Sequence, residues 1–125
     1  MTRKDFEKAF MDRISKSEET LISKAKEYAH SGDRLGNFKK AAALQSCCPE
    51  RALWGMVSKH LVALSDFIDK LDAGESEDIS EAMWDDKIGD SINYLILLEA
   101  LLQERWFAES AAFGPALNGL GLGEK

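Results

Sequence analysis

The sequence predicts a single all-α domain, an antiparallel helical bundle of three long helices and one short helix. Three observations lead there. Leu, Ala, Glu, Lys and Met dominate the long segments, and these residues lose little rotamer freedom in a helix. The 125 residues hold only two prolines, Pro49 and Pro115, and runs of β-branched residues are scarce. Apolar side chains recur at the three- and four-residue intervals of one helix face. A content of 45% hydrophobic and 30% charged residues is that of a globular chain of one domain.

The first helix is expected over roughly residues 4–30. At 100° per residue, Phe10, Ile14, Leu21, Ala25 and Tyr28 share one arc. Ser31-Gly32-Asp33 then ends the helix, with glycine free to take the left-handed position. A short helix follows to Gln45, with Asn37 as its expected N-cap. The third helix starts at Pro49, a favoured first helical position, and runs to about Leu71. Leu53, Met56, Val57, Leu64, Phe67 and Leu71 form its apolar face. Asp78 and Glu81 are spaced as an acidic capping box for the last helix, which continues to about Phe107. That helix is apolar nearly all round from Tyr94 to Leu102, as a central element should be. The domain is therefore expected over 1–107, with 108–125 a flexible glycine-rich tail.

Charge narrows the function classes. The net charge is −6, which disfavours binding of duplex nucleic acid through its phosphates. Residues 1–40 carry ten basic and seven acidic side chains, and residues 41–125 carry six and fifteen. Between Asp66 and Asp90 lie ten carboxylates and two lysines. No apolar run approaches the ~20 residues of a membrane span, and the N-terminus lacks the apolar core of a secretory signal. The adjacent pair Cys47 and Cys48 suits two reduced thiols, so a cytoplasmic setting is expected. The apolar excess of the last helix and three Trp (Trp54, Trp84, Trp106) suggest a homo-oligomer.

Polar residues that interrupt apolar faces are the candidates for chemistry. Asp86, Asp90 and Asn93 share one helix stripe with Leu97 and Leu101. Two carboxylates covered in this way need a compensating cation, either Mg²⁺ or a Lys or Arg from a neighbouring helix. Glu18 sits at the edge of the first helix's apolar arc and is a further candidate metal ligand. His60 lies in the middle of the third helix's apolar arc. It is either a neutral core histidine or an imidazole aimed into a polar pocket, with Lys59 beside it able to reach phosphate. Lys26, Tyr28, Arg34 and Asn37 gather around the first turn, where Arg34 can grip phosphate or carboxylate with two bonds. The alternative for all of these is a satisfied structural network in a non-catalytic interaction module, whose acidic face binds a partner protein.

Four blocks carry a resemblance: Lys26-Glu-Tyr28, Asp33-Arg-Leu-Gly-Asn-Phe38, Lys59-His60, and Trp84-Asp-Asp-Lys-Ile-Gly-Asp90-Ser-Ile-Asn93-Tyr94. In that order they resemble small, mostly uncharacterised phage and prophage proteins related to the nucleotide-modification-associated domain. The likeness spans about residues 17–104. It implies a phage-type protein of the bacterial host cytoplasm that binds a nucleotide or related phosphorylated ligand. A more remote similarity, to MazG-type and dimeric dUTPase-type all-α pyrophosphatases, implies Mg²⁺-dependent phosphoanhydride hydrolysis. Those enzymes use Glu-Glu-x-x-Glu and Glu-x-x-Asp helices. Here Glu18-Glu19-Thr-Leu-Ile22 lacks the third carboxylate, and Asp90-Ser-Ile-Asn93 ends in an amide.

Overall fold

A computed structural model describes residues 1–27 and 32–119. All regular structure among the described residues is helical: α1 (Arg3–Glu18), α2 (Gly36–Gln45), α3 (Pro49–Asp72) and α4 (Glu81–Gly119). A π-helical turn, Glu19–Ser23, and a 3₁₀ turn, Lys24–Glu27, continue the path of α1. A second 3₁₀ turn, Ser76–Asp78, precedes α4. The first helix is thus not the uniform seven-turn rod expected. Its winding changes over Glu19–Ser23.

Caps explain most boundaries. Thr2 and Asp5 form a reciprocal capping box at the start of α1. Pro49 opens α3 as expected. Asn37 is not a cap: α2 begins at Gly36 with Leu35 before it, and the Asp33 carboxylate accepts from the Leu35 N–H at 3.0 Å. Asp78 lies in the 3₁₀ turn, and the cap of α4 is Ser80, whose hydroxyl accepts from the Met83 N–H at 3.1 Å. Being two residues nearer the first helical turn, Ser80 reaches the free N–H groups that Asp78 cannot. α4 runs on to Gly119, well past the expected end at Phe107; residues 120–125 lie outside the described residues.

The core forms where α2, α3 and α4 meet. Leu35, Phe38, Leu53 and Leu101 cluster there, with Met56, Tyr94, Leu97 and Leu98 packed around them. Ala42 and Ala52 are buried and small, so α2 and α3 approach closely. α3 and α4 run antiparallel, as three pairs along their length show. Glu50 meets Arg105, His60 stacks on Tyr94, and Phe67 meets the edge of Trp84 at a centroid distance of 5.2 Å.

The apolar faces depart from expectation in two places. Leu53 and Val57 are fully buried, but Leu71 is half exposed and Leu61 and Ile68 stand outward. On α1, Phe10 and Ile14 face solvent, and Arg13 and the buried Ser17 face α4 instead. The apolar arc and the packed face of α1 are therefore different faces.

Arg105 donates two hydrogen bonds to Glu50, at 2.9 and 2.7 Å. Chiefly through these bonds, the guanidinium holds the Glu50 carboxyl below the usual glutamate range. A depressed carboxylate stabilises the fold above its unfolded pKa, ~4.3, and loses that contribution as pH falls through the folded value. Glu50→Gln is therefore expected to lower stability at pH 7 by about 1 kcal/mol, because Arg105 is half exposed and screened. Urea unfolding at pH 7 and pH 3 checks this: the gap from wild type narrows at pH 3.

Candidate functional site

The stripe Asp86, Asp90, Asn93, Leu97, Leu101 on α4 changes character along its length. Leu101 is buried in the core, and one turn after another the stripe rises into a hollow. From α3, His60 enters the same hollow one turn beyond the fully buried Val57. Its ring stacks on Tyr94 at 5.4 Å and 30°, and its Nδ1 lies 3.6 Å from Asp90 Oδ2, too far for a hydrogen bond. His60 Nδ1 and Asn93 Oδ1 are buried and without hydrogen-bond partners. Such atoms are rare, because an unpaired buried polar group loses its hydration without return.

Arg34 and Asn37 reach the hollow from the opposite side. Their turn is anchored at both ends. Lys39 bridges Asp33 at 2.8 Å and Glu104 of α4 at 2.6 Å. The Lys39 hydrogen bond, followed by that of the Leu35 N–H, keeps the Asp33 carboxyl below its ordinary range. The hollow has a volume of about 490 Å³, within the span of ~300–1,000 Å³ usual for small-molecule sites. Leu21, Phe38, Met56 and Leu97 complete its apolar walls.

A second, charged cleft of about 190 Å³ adjoins it between α1 and α4. Arg13, Lys16, Glu19 and Thr20 face Asp85, Asp86, Asp90 and Asn93 across it. Asp85 binds both Arg13 and Lys16, the latter at 3.0 Å. These two hydrogen bonds, Lys16's being the larger influence, hold its carboxyl below the usual range. Gly89 permits this approach: a Cβ there would stand 2.5 Å from Arg13 Nη1. Thr20, Asp90 and Asn93 line both spaces, so the hollow and the cleft are neighbours that share these three residues.

The structure thus brings together Arg34, Asn37, His60, Asp86, Asp90 and Asn93 from the sequence candidates. Lys59 is exposed and lines neither space, and Glu18 likewise points to solvent. Tyr28 lies outside the described residues, as does the side chain of Lys26. Sequence reasoning missed Arg13, Lys16 and Thr20. Their spacing of three and four was the available signal, a polar stripe on a helix assumed to bury its apolar side.

Among the described residues no group of three or more His, Cys, Asp or Glu is arranged to hold a metal ion. Asp86, Asp90 and Asn93 all line the charged cleft. That set fits Mg²⁺ only where the ligand supplies further oxygens, as phosphates do. Among the described residues no helix is long and apolar enough to cross a membrane. Comparisons with family models, curated proteins and solved structures give no match.

Proposed function

We propose that the chain binds a nucleotide or a closely related phosphorylated ligand. One observation carries this reading: an apolar, aromatic hollow shares Thr20, Asp90 and Asn93 with a neighbouring cleft lined by Arg13, Lys16 and two further aspartates. A ligand with a planar ring at one end and phosphates at the other matches that division. The stacked His60–Tyr94 pair offers a flat surface for the ring. Asn93 lines both spaces, and its unpaired side-chain amide suits a ring N–H or amino group. Arg34 at the mouth, and Lys16 and Arg13 in the cleft, suit phosphate oxygens. Asp86 and Asp90 would hold Mg²⁺ together with those oxygens. The metal would supply charge neutralisation and, if the ligand is turned over, an activated water at a phosphoanhydride. The same reading takes the chain as a phage-type protein of the bacterial cytoplasm with its helices in an antiparallel bundle. Its support is the four sequence blocks and the opposed run of α3 and α4.

Thermal unfolding with nucleoside mono-, di- and triphosphates, each with and without Mg²⁺, tests the proposal. Phosphorylated nucleosides are expected to raise Tm, more so with Mg²⁺, and free nucleosides less. Asp90→Ala is expected to remove the Mg²⁺-dependent part. No shift with any member of the panel, or an equal shift in wild type and Asp90→Ala, overturns it. Release of phosphate or pyrophosphate in the same mixtures would assign hydrolysis.

A further inference from the structure

Both cations of the charged cleft are already taken. Arg13 and Lys16, one turn apart on α1, donate to the same carboxylate oxygen, Asp85 Oδ1, Lys16 from 3.0 Å. A guanidinium and an ammonium that converge on one oxygen make an anion position, and carboxylate and phosphate oxygens serve them equally as acceptors. The position is built into the helix packing: the Arg13 side chain is 22% exposed and lies against α4 where Gly89 offers no side chain.

Charge sets a cost on entry. Arg13 and Lys16 share the cleft with four carboxylates, Glu19, Asp85, Asp86 and Asp90, so its lining is negative as it stands. A phosphate that enters while Asp85 keeps both cations meets net repulsion. Asp85 has room to leave them. Arg13, Lys16 and Asp85 also border an open groove of about 600 Å³, lined further by Glu81 and Trp84. The Asp85 side chain is 36% exposed, so it can turn into that groove without disturbing the core.

We propose that Asp85 is an internal competitor for the phosphate of the ligand: its carboxylate fills the anion position between Arg13 and Lys16 until a phosphate takes both cations and Asp85 turns outward. This deepens the ligand reading above and rests on its placing phosphate in the cleft. The cost of opening belongs to the protein, so it weakens every anion by the same factor. A free phosphate has no other contact to set against that cost. A ligand whose ring also fills the hollow does, which ties release of the two cations to molecules that engage both spaces.

Isothermal titration calorimetry with phosphate and with pyrophosphate, without divalent cations and at fixed ionic strength, reads the competition. Asp85→Asn is expected to bind each anion about tenfold more tightly than wild type, by a similar factor for the two. Glu81→Gln removes the same charge one turn earlier on α4, where it holds neither cation, and is expected to change neither affinity. In wild type, excess pyrophosphate is expected to shift the carbon resonance of the Asp85 carboxyl group, a readout that requires no variant to fold. The proposal is overturned by no gain in a helical Asp85→Asn chain, by an equal gain in Glu81→Gln, by a gain for pyrophosphate alone, or by an unmoved Asp85 resonance. If nucleotides raise Tm while Asp85→Asn gains nothing, the competitor fails and the ligand reading stands. If Asp85→Asn gains and no nucleotide raises Tm, the anion position stands and the ligand reading fails.

Discussion

Leu53→Ala is expected to lower unfolding free energy by about 3 kcal/mol, measured by urea titration. Leu53 is fully buried where α2, α3 and α4 converge, in contact range of Leu35, Phe38 and Leu101. Truncation removes three carbons from water-free packing and leaves a void that helices anchored at both ends cannot close, a loss usually of ~2–5 kcal/mol. For a chain of this size such a loss is a large share of total stability. Leu71→Ala, on the same helix and of the same chemistry, should cost the isolated chain less than about 1 kcal/mol, since Leu71 is half exposed. The contrast tests which part of α3 belongs to the core.

Asn93→Leu is expected to raise stability and remove ligand binding together. The Asn93 Oδ1 is buried without a partner, so the folded chain bears its lost hydration, about 1–2 kcal/mol. Leucine has the same branched skeleton, lacks the polar atoms, can extend its larger methyl groups toward the hollow, and continues the stripe formed by Leu97 and Leu101. Its variant should therefore unfold at a higher temperature than wild type. The same substitution deletes the acceptor shared by the hollow and the cleft, so the nucleotide-dependent rise in Tm should vanish. A group kept at the expense of stability is the mark of a site shaped for a partner molecule. Two thermal scans, with and without a nucleoside triphosphate and Mg²⁺, check both halves. A less stable variant, or one that keeps the full ligand shift, contradicts this account of Asn93.

Much of the hollow's polar lining was legible because these residues break a pattern. His60, Asp90 and Asn93 interrupt apolar faces, and side chains on those faces converge where antiparallel helices meet. Arg34 and Asn37 were legible as polar residues in a turn, although Asn37 serves inside α2 and not at its cap. Lys59 stands apart from the hollow for a geometric reason: one residue from His60 is 100° around the helix, which takes it to solvent. Arg13 and Lys16 were hidden by an assumption, that an amphipathic helix turns its apolar side to its own chain. Periodicity marks an apolar face and is silent on whether its own chain covers it. The all-α class was secure because composition and period agree along the whole chain, and helix boundaries were weaker where one hydroxyl, Ser80, outcompetes a nearby carboxylate.

The wide turn at Glu19–Ser23 has a consequence for how α1 reads as a sequence. A uniform α-helix that lays Arg13, Ser17 and Thr20 against α4 would next bring Lys24 inward, driving an ammonium group among aliphatics. Wider winding delays the phase by one residue, and Ala25, 6% exposed, goes in while Lys24 stays in water. The rod is thereby split into two segments with separate allegiances: the later one turns Ala25 into the interior, and the earlier one leaves Phe6 and Phe10 in solvent.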